Sequence, residues 1–340
     1  MSTKKRIVLA GNVIVDVVKR IDGWPEQGHL VNILGQSRSC GGAVSNSGVF
    51  LKTLDPSLEV FACGKVGADD NGDWLVGFLA ERGLDISRIS RSDAAPTSYT
   101  DVMTVEGSGA RTFFHARGAN ALFSAADIAP DALECDHFHL GYLLLLDMLD
   151  APDAEYGTAA ARLLHDIQAR GIPTSVDLVS EQSERFARIV RPALKYCDHL
   201  VVNEFEGEQA TGIPCRDDAG RITESTLRSI AERLFALGVR RSVTLHCPEM
   251  GVTLESNGSF ASSTSLELPP GWIKGAVGAG DAFCAGRLYA IMNGMTPEEG
   301  LGLANAMAAA NLSRADSVSG GLPLVDPRAL LKRFPRQKAR

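Results

Sequence analysis

The chain has 340 residues, 22% of them charged and 45% apolar, with a formal net charge of −7. That balance suits a globular protein able to bury a large core and argues against general nucleic-acid binding, which needs clustered Lys and Arg. The longest apolar stretch, "LGYLLLLDML", falls far short of the roughly 20 residues a membrane-spanning helix needs. Seven cysteines are scattered without any CxxC pair, a pattern that predicts reduced thiols and a cytoplasmic location.

The N-terminal "RIVLAGNVIVDVV" reads as a β run rather than a signal peptide, because Asp16 interrupts it. "GNVIVD" puts Asp16 at or beyond the end of that first strand, where α/β sheets bind ligands. "CGGAVSNSG" then offers Gly41, Gly42 and Asn46 near the start of a helix. A carboxylate and an amide with bare backbone between them suit a ligand rich in hydroxyls. Asp16 in a turn and Asn46 as a helix cap are the structural alternatives. In "NGDWLVGFLAERG", Trp74, Leu75, Phe78 and Leu79 recur at helical spacing, and Gly83 is placed to stop the helix.

Residues 12–38 and 97–117 break the α/β rhythm. "SYTDVMTV" and "ARTFFHA", joined by "EGSG", predict a hairpin, and the two excursions together predict a small β-sheet lid. Further strands are expected in "HFHLGYLLLL", "GIPTSVDL", "DHLVVNEF" and "RRSVTLHC". His137 and His139 stand at strand spacing with no third metal ligand evident nearby, so packing and hydrogen bonding are expected of them. "TPEEGLGLANAMAAANLSR" opens with Thr296, Pro297 and Glu299, a capping-box start. Strands alternating with helices predict a mostly parallel sheet covered on both faces.

The stretch "IKGAVGAGDAFCAG" carries the chemistry. Residues 273–277 are expected to leave a strand and 281–294 to form a helix. Gly278, Ala279 and Gly280 then present bare backbone amides at a helix N-terminus, which favours an anion. A carboxylate at Asp281 in the same turn is unfavourable beside phosphate unless it works as a general base. A dinucleotide fingerprint is the competing reading, but Phe283 stands where its third glycine belongs. An ordinary glycine turn capped by Asp281 is the other.

In order along the chain, these motifs resemble the ribokinase-like (PfkB) carbohydrate kinases. The likeness includes Gly41-Gly42-x-x-x-Asn46, the run "GKVGADDNGDWLVGFLAERGLDIS", Asn203-x-x-Glu206 and Gly278-Ala-Gly-Asp281. The resemblance implies one ribokinase-like three-layer α/β/α domain over 1–340 with the β lid inserted in it. It implies an ATP- and Mg²⁺-dependent kinase acting on a sugar, with Asp281 as base and the 278–281 backbone as anion hole. Asp16, Gly41, Gly42 and Asn46 are then expected at the sugar, and Asn203 and Glu206 at Mg²⁺ and its waters. Thr244, Gly251 and Asn305 are expected at the adenine nucleotide, and the lid at a homodimer interface.

Three departures stand out. Gly275 and Ala276 replace the family's usual Asp-Thr, whose carboxylate helps hold an activating monovalent cation, so weak or no K⁺ activation is expected. His246 stands in the family's Thr-x-Gly, and Ala43 where ribokinases proper tend to have lysine. The alternatives are a nucleoside kinase, to which Tyr99, Phe113 and Phe114 in the lid would contribute stacking, and a catalytically silent sugar- or nucleotide-binding protein. Arg111 or Arg117 is a candidate clamp for an acceptor phosphate.

Overall fold

The computed structural model describes residues 4–108, 110–181, 183–323 and 325–337. Gly109, in the expected "EGSG" turn, lies outside them, as do both ends of the expected 1–340 domain.

Strand β1 (Arg6–Gly11) is followed by β2 (Ile14–Ile21), β3 (Ile33–Gly41) and helix α1 (Ala43–Leu54). Next come β4 (Glu59–Gly67), α2 (Asp70–Glu81), β5 (Asp85–Ser92), β6 (Tyr99–Val105) and β7 (Arg111–Ala116). A short α3 (Ala125–Ile128), β8 (His137–Leu143) and a short α4 (Asp147–Asp150) follow. Two-residue strands β9 (Pro152–Asp153) and β10 (Gly157–Thr158) precede α5 (Ala159–Ala169), β11 (Thr174–Leu178) and α6 (Phe186–Leu194). Then come β12 (His199–Asn203), α7 (Glu204–Thr211), α8 (Glu224–Ala236), β13 (Ser242–His246), β14 (Met250–Glu255) and β15 (Phe260–Thr264). The described chain ends with α9 (Ala279–Met292), α10 (Pro297–Asn311) and α11 (Val325–Arg333).

Nine strands form one sheet in the order β15-β14-β13-β12-β11-β8-β1-β4-β5. The pairs from β12–β13 through β4–β5 are parallel, while β13–β14 and β14–β15 are antiparallel, so β14 alone runs against the rest. Crossovers of this kind put helices on both faces. One apolar layer includes Leu163 and Leu164 of α5, Ile189 of α6 and Leu227 and Leu234 of α8. The other joins Val49 and Phe50 of α1, Leu75 and Leu79 of α2, and Phe283, Leu288 and Met307 of α9 and α10. These are the three expected layers.

A second sheet, in the order β3-β2-β6-β7, is the expected lid. Its first excursion runs on to Gly41, three residues beyond the expected end at 38. The N-terminal apolar run therefore serves two sheets, β1 in the core and β2 in the lid. All seven cysteines are free, and six are buried. Among the described residues no helix is long and apolar enough to cross a membrane.

The helix starts follow local chemistry. The Thr296 hydroxyl accepts from Glu299 N at 3.3 Å while the Glu299 carboxylate accepts from Thr296 N at 3.0 Å, the reciprocal pair expected from the sequence. One expectation fails: residues 273–277 do not leave a strand, since β15 ends at Thr264. Lys274 N donates to Leu312 O at 2.7 Å, so that stretch is a loop fastened to the end of α10.

Candidate active site

The glycine loop is built by close approach. Gly278 caps α9 with φ 76°, and a Cβ there would collide with Ser317 O, so only glycine fits this turn. Ala279 N turns back to Ala276 O at 3.3 Å, whereas Gly280 N and Asp281 N have no acceptor among the described residues. Those two amides, at the positive end of a 14-residue helix, are the donors an anion would meet.

Asp281 sits in that first turn, 6% exposed. Tyr142, at the end of β8, donates its hydroxyl to Asp281 Oδ1 at 2.5 Å, and Asn46 Nδ2 donates to Oδ2 at 2.8 Å. Burial raises the Asp281 pKa, and these two hydrogen bonds pull it back down. Asn46 is thus not a helix cap. α1 is capped by Gly42 with no side-chain bond, which frees Asn46 to reach the carboxylate.

Asp16 lies on β2, so it belongs to the lid sheet rather than to the first core strand. Its carboxylate packs against Gly41, where a Cβ would lie 2.5 Å from Asp16 Oδ2. Burial first, then repulsion from Asp281, pushes its pKa up to about 7. Asp16, Gly41, Gly42, Asn46 and Asp281 are therefore one cluster, drawn from two strands of the lid sheet and two helices.

Asn203 and Glu206 form a reciprocal cap at the start of α7. Glu206 N donates to Asn203 Oδ1 at 2.9 Å, and Asn203 N to Glu206 Oε2 at 3.0 Å. Ser180 links them, donating to Glu206 Oε1 at 2.8 Å and accepting from Asn203 Nδ2 at 2.8 Å. Burial pushes Glu206 up to about 7. With both carboxylate oxygens already accepting, the pair fits a metal held through water better than direct ligation.

A cavity of about 750 Å³ runs from Ala279 and Gly280 past Asn203, His246 and Phe283 to Asn305. The His246 ring lies 4.6 Å from that of Phe283, tilted by 32°, and burial lowers its pKa to about 4. His246 therefore widens an apolar wall instead of adding charge. Asn305 Nδ2 donates to Ser263 Oγ at 2.8 Å and Ser263 O at 3.0 Å, fastening α10 to β15. Thr244 and Gly251 do not line the cavity. Thr244 Oγ1 pairs with Thr253 Oγ1 at 2.9 Å between β13 and β14. Gly251 leaves room for Phe283, whose Cζ would lie 2.9 Å from an added Cβ.

The two arginines differ. Arg117 is tied to Asp147 at 2.6 Å and Glu181 at 3.4 Å, which removes it as a free clamp. Arg111 reaches from the lid to Ala315 O at 3.3 Å, and a Cβ on Gly275 would lie 2.9 Å from its Nη2. The missing carboxylate at 275 thus leaves space that a lid guanidinium fills. His137 and His139 both bond the Ser175 hydroxyl at 2.8 Å, the hydrogen-bonded packing expected of them. His139, Asp177 and Cys284 nevertheless bring one ligand atom each within 4.8 Å of one another, a cluster the sequence reading missed. Tyr142 was missed as well.

Residues 4–323 match the profile of the pfkB family carbohydrate kinases. Ribokinase of Arabidopsis thaliana is 24% identical over 96% of this chain and 80% of its own length. A nucleoside kinase of Methanocaldococcus jannaschii is 22% identical over 95% of each. The structure of Arabidopsis ribokinase complexed with ribose and ATP superposes with a TM-score of 0.78 at 18% identity, covering 97% of this chain and 99% of that one. Ribokinase from Thermotoga maritima gives 0.75 at 19% identity, over 97% and 99%. The fold is thus ribokinase-like.

A buried acid whose native pKa is raised weakens the fold once it ionises. The cost is absent below pH 3.8, grows between 3.8 and about 7, and is complete above. Asp16→Asn is therefore expected to raise Tm by a few °C at pH 8 and to leave it nearly unchanged near pH 4. Melting curves across that range check this; an equal or lower Tm at pH 8 contradicts it.

Proposed function

The chain belongs to the pfkB family of carbohydrate kinases and is a phosphotransferase with a sugar hydroxyl as acceptor class, and on that premise we propose that it transfers the γ-phosphate of ATP to a hydroxyl of a sugar or sugar derivative with Asp281 as general base. The observation that carries this reading is the buried Asp281 carboxylate, gripped by Tyr142 and Asn46 and adjoining two free amides at the start of α9.

The acceptor hydroxyl gives its proton to an Asp281 oxygen as its own oxygen attacks the γ-phosphorus. A new O–P bond forms, the bond to the bridging oxygen breaks, and ADP leaves. The amides of Gly280 and Asp281 face the charge that builds on the transferring group. Asp16 and Asn46 orient the acceptor, and Arg111 joins the lid to the loop carrying Ser317. The 750 Å³ cavity would take ATP, with Phe283 and His246 offering its ring an apolar wall. Asn203 and Glu206 would hold Mg²⁺ through water, and the ion would supply neutralising charge to the phosphates.

The nucleoside alternative is favoured by the M. jannaschii relative and by the exposed Phe113. Phe114 is already stacked on Trp24 at 6.1 Å, which leaves it occupied within the lid. A silent binding protein is disfavoured by the retained Asp281.

ADP release from Mg·ATP across sugars, sugar phosphates, sugar acids and nucleosides tests this reading. One acceptor class is expected to turn over, and Asp281→Asn to cost about 100- to 10,000-fold. Replacing Na⁺ by K⁺ is expected to leave the rate unchanged, because the Arg111 guanidinium sits beside Gly275. Turnover indifferent to Asp281→Asn, or none on any acceptor, contradicts the proposal, and strong K⁺ activation contradicts the account of Gly275.

The lid also leaves large apolar side chains in solvent: Trp24, Leu30, Ile33, Phe113 and Phe114 are each more than half exposed. A second copy of the same face covers them most simply, as a lid-to-lid homodimer. Sedimentation is expected to give a dimer that Leu30→Asp with Phe113→Asp converts to monomer. A monomeric wild type at tens of micromolar, the order where a modest dimer still assembles, contradicts this.

A further inference from the structure

A second cavity, of about 550 Å³, lies at the N-terminal ends of the parallel strands, away from the glycine loop. Lys5, His137, His199, Arg241, Glu255 and Arg287 are among its walls. We propose that this cavity is a ligand site of its own, which takes a small oxyanion, a phosphate or carboxylate group, against the guanidinium of Arg287 with Arg241 and Lys5 at its flanks.

Arg287 carries the case. It lies on α9, six residues beyond Asp281, and is 2% exposed. Its Nε has no partner, and no hydrogen bond or ion pair joins its guanidinium to any described residue. A buried cation with no acceptor is rare and costly in native structures, whereas a bound anion would satisfy it. The position is built rather than accidental. Gly300, in the first turn of α10, has no side chain where one would collide with Arg287 Nη1. Burial lowers the Arg287 pKa to about 10, which leaves it charged at neutral pH.

The neighbours divide the remaining charge. Arg241 touches Asp198 at 3.3 Å but keeps 58% of its side chain exposed, so it can turn toward a ligand. Lys5 Nζ donates to Met292 O at 2.5 Å and Asn293 Oδ1 at 2.9 Å, covering the C-terminal carbonyls of α9 that would repel an anion. Asp136 is engaged by Arg6 N at 2.7 Å. Glu255 forms no ion pair among the described residues, and burial raises its pKa against the pull of Arg287. His137 and His199, held by Ser175 and Ser242 at 2.8 and 2.7 Å, are kept neutral by burial, with pKa values of about 3. The walls therefore hold three cationic side chains against two carboxylates. Ile291, Met292 and Met295 leave an apolar flank for the body of the ligand.

Calorimetric titration of the full chain with inorganic phosphate, and separately with malonate, tests the site. Saturating ATP without magnesium keeps the glycine loop filled, so binding that persists is binding elsewhere. The expected result is one site per chain for at least one of the two anions. Arg287→Met is expected to weaken it about tenfold or more, and Arg241→Gln by a smaller factor. Malonate binding alone assigns a carboxylate ligand, and phosphate binding a phosphorylated one. If Arg287→Met does not fold, Arg241→Gln decides alone, since its side chain is largely in solvent. No binding of either anion under ATP, or binding unchanged in the folded variants, overturns the proposal. Binding is read without turnover, so the outcome is independent of whether a kinase acceptor is found.

Discussion

On the proposed mechanism, the site at the C-terminal end of the sheet depends on keeping one carboxylate, Asp281, ionisable where there is little water to solvate it. Burial favours its neutral form, and a neutral acid cannot take a proton from an acceptor. Two hydrogen bonds, from the Tyr142 hydroxyl and the Asn46 amide, oppose that tendency. The neighbours make the task harder. Asp16 and Asp177 are themselves raised by burial and by the charge of Asp281, and Glu206 lies close to Asp177. A set of acids packed this closely weakens the fold near neutral pH and raises the proton affinity of each member, as sites that move protons often do.

The fold meets this constraint by converging separate elements on one turn. β8 lies between β1 and β11 near the middle of the nine-stranded sheet and presents Tyr142 towards its C-terminal end. α1 presents Asn46, α9 begins at the glycine loop, and β2 of the lid brings Asp16. Because α1 packs against α9, the Asn46–Asp281 contact is fixed by helix packing as well as by its own hydrogen bond. Arg111 adds a second connection from the lid to the loop that carries Ser317. Lid position and the glycine turn are thus mechanically linked, and on the proposed mechanism that link serves to exclude water.

The alternation of strands and helices, the lid excursions and the glycine turn with its acid were legible in the sequence because each is a local pattern. Asn46 was legible for the same reason, as one member of a short glycine-rich element. Tyr142 was not, since its role depends on strand pairing that brings it to a residue 139 positions away. Nothing in "HLGYLLLL" distinguishes that tyrosine from a packed aromatic. Thr244 and Gly251 were expected at the nucleotide. Strand alternation turns the Thr244 hydroxyl toward Thr253 instead, and Gly251 makes room for Phe283. Residues 273–277, expected to leave a strand, follow a loop instead, because Ile273 and Ala276 line a cavity and Lys274 is fastened to the end of α10. Arg287 gave no signal at all, as a lone arginine in a helix reads as surface.

The most direct measurement is the pH dependence of kcat/KM for wild type and Tyr142→Phe on whichever acceptor turns over. Removing the phenol removes a hydrogen bond that lowers the Asp281 pKa. The acidic limb of the profile should therefore move to higher pH in the variant, with a loss near neutral pH that is recovered as pH rises. An acidic limb in the same place in both proteins would mean that Asp281 is not the group whose ionisation governs the reaction.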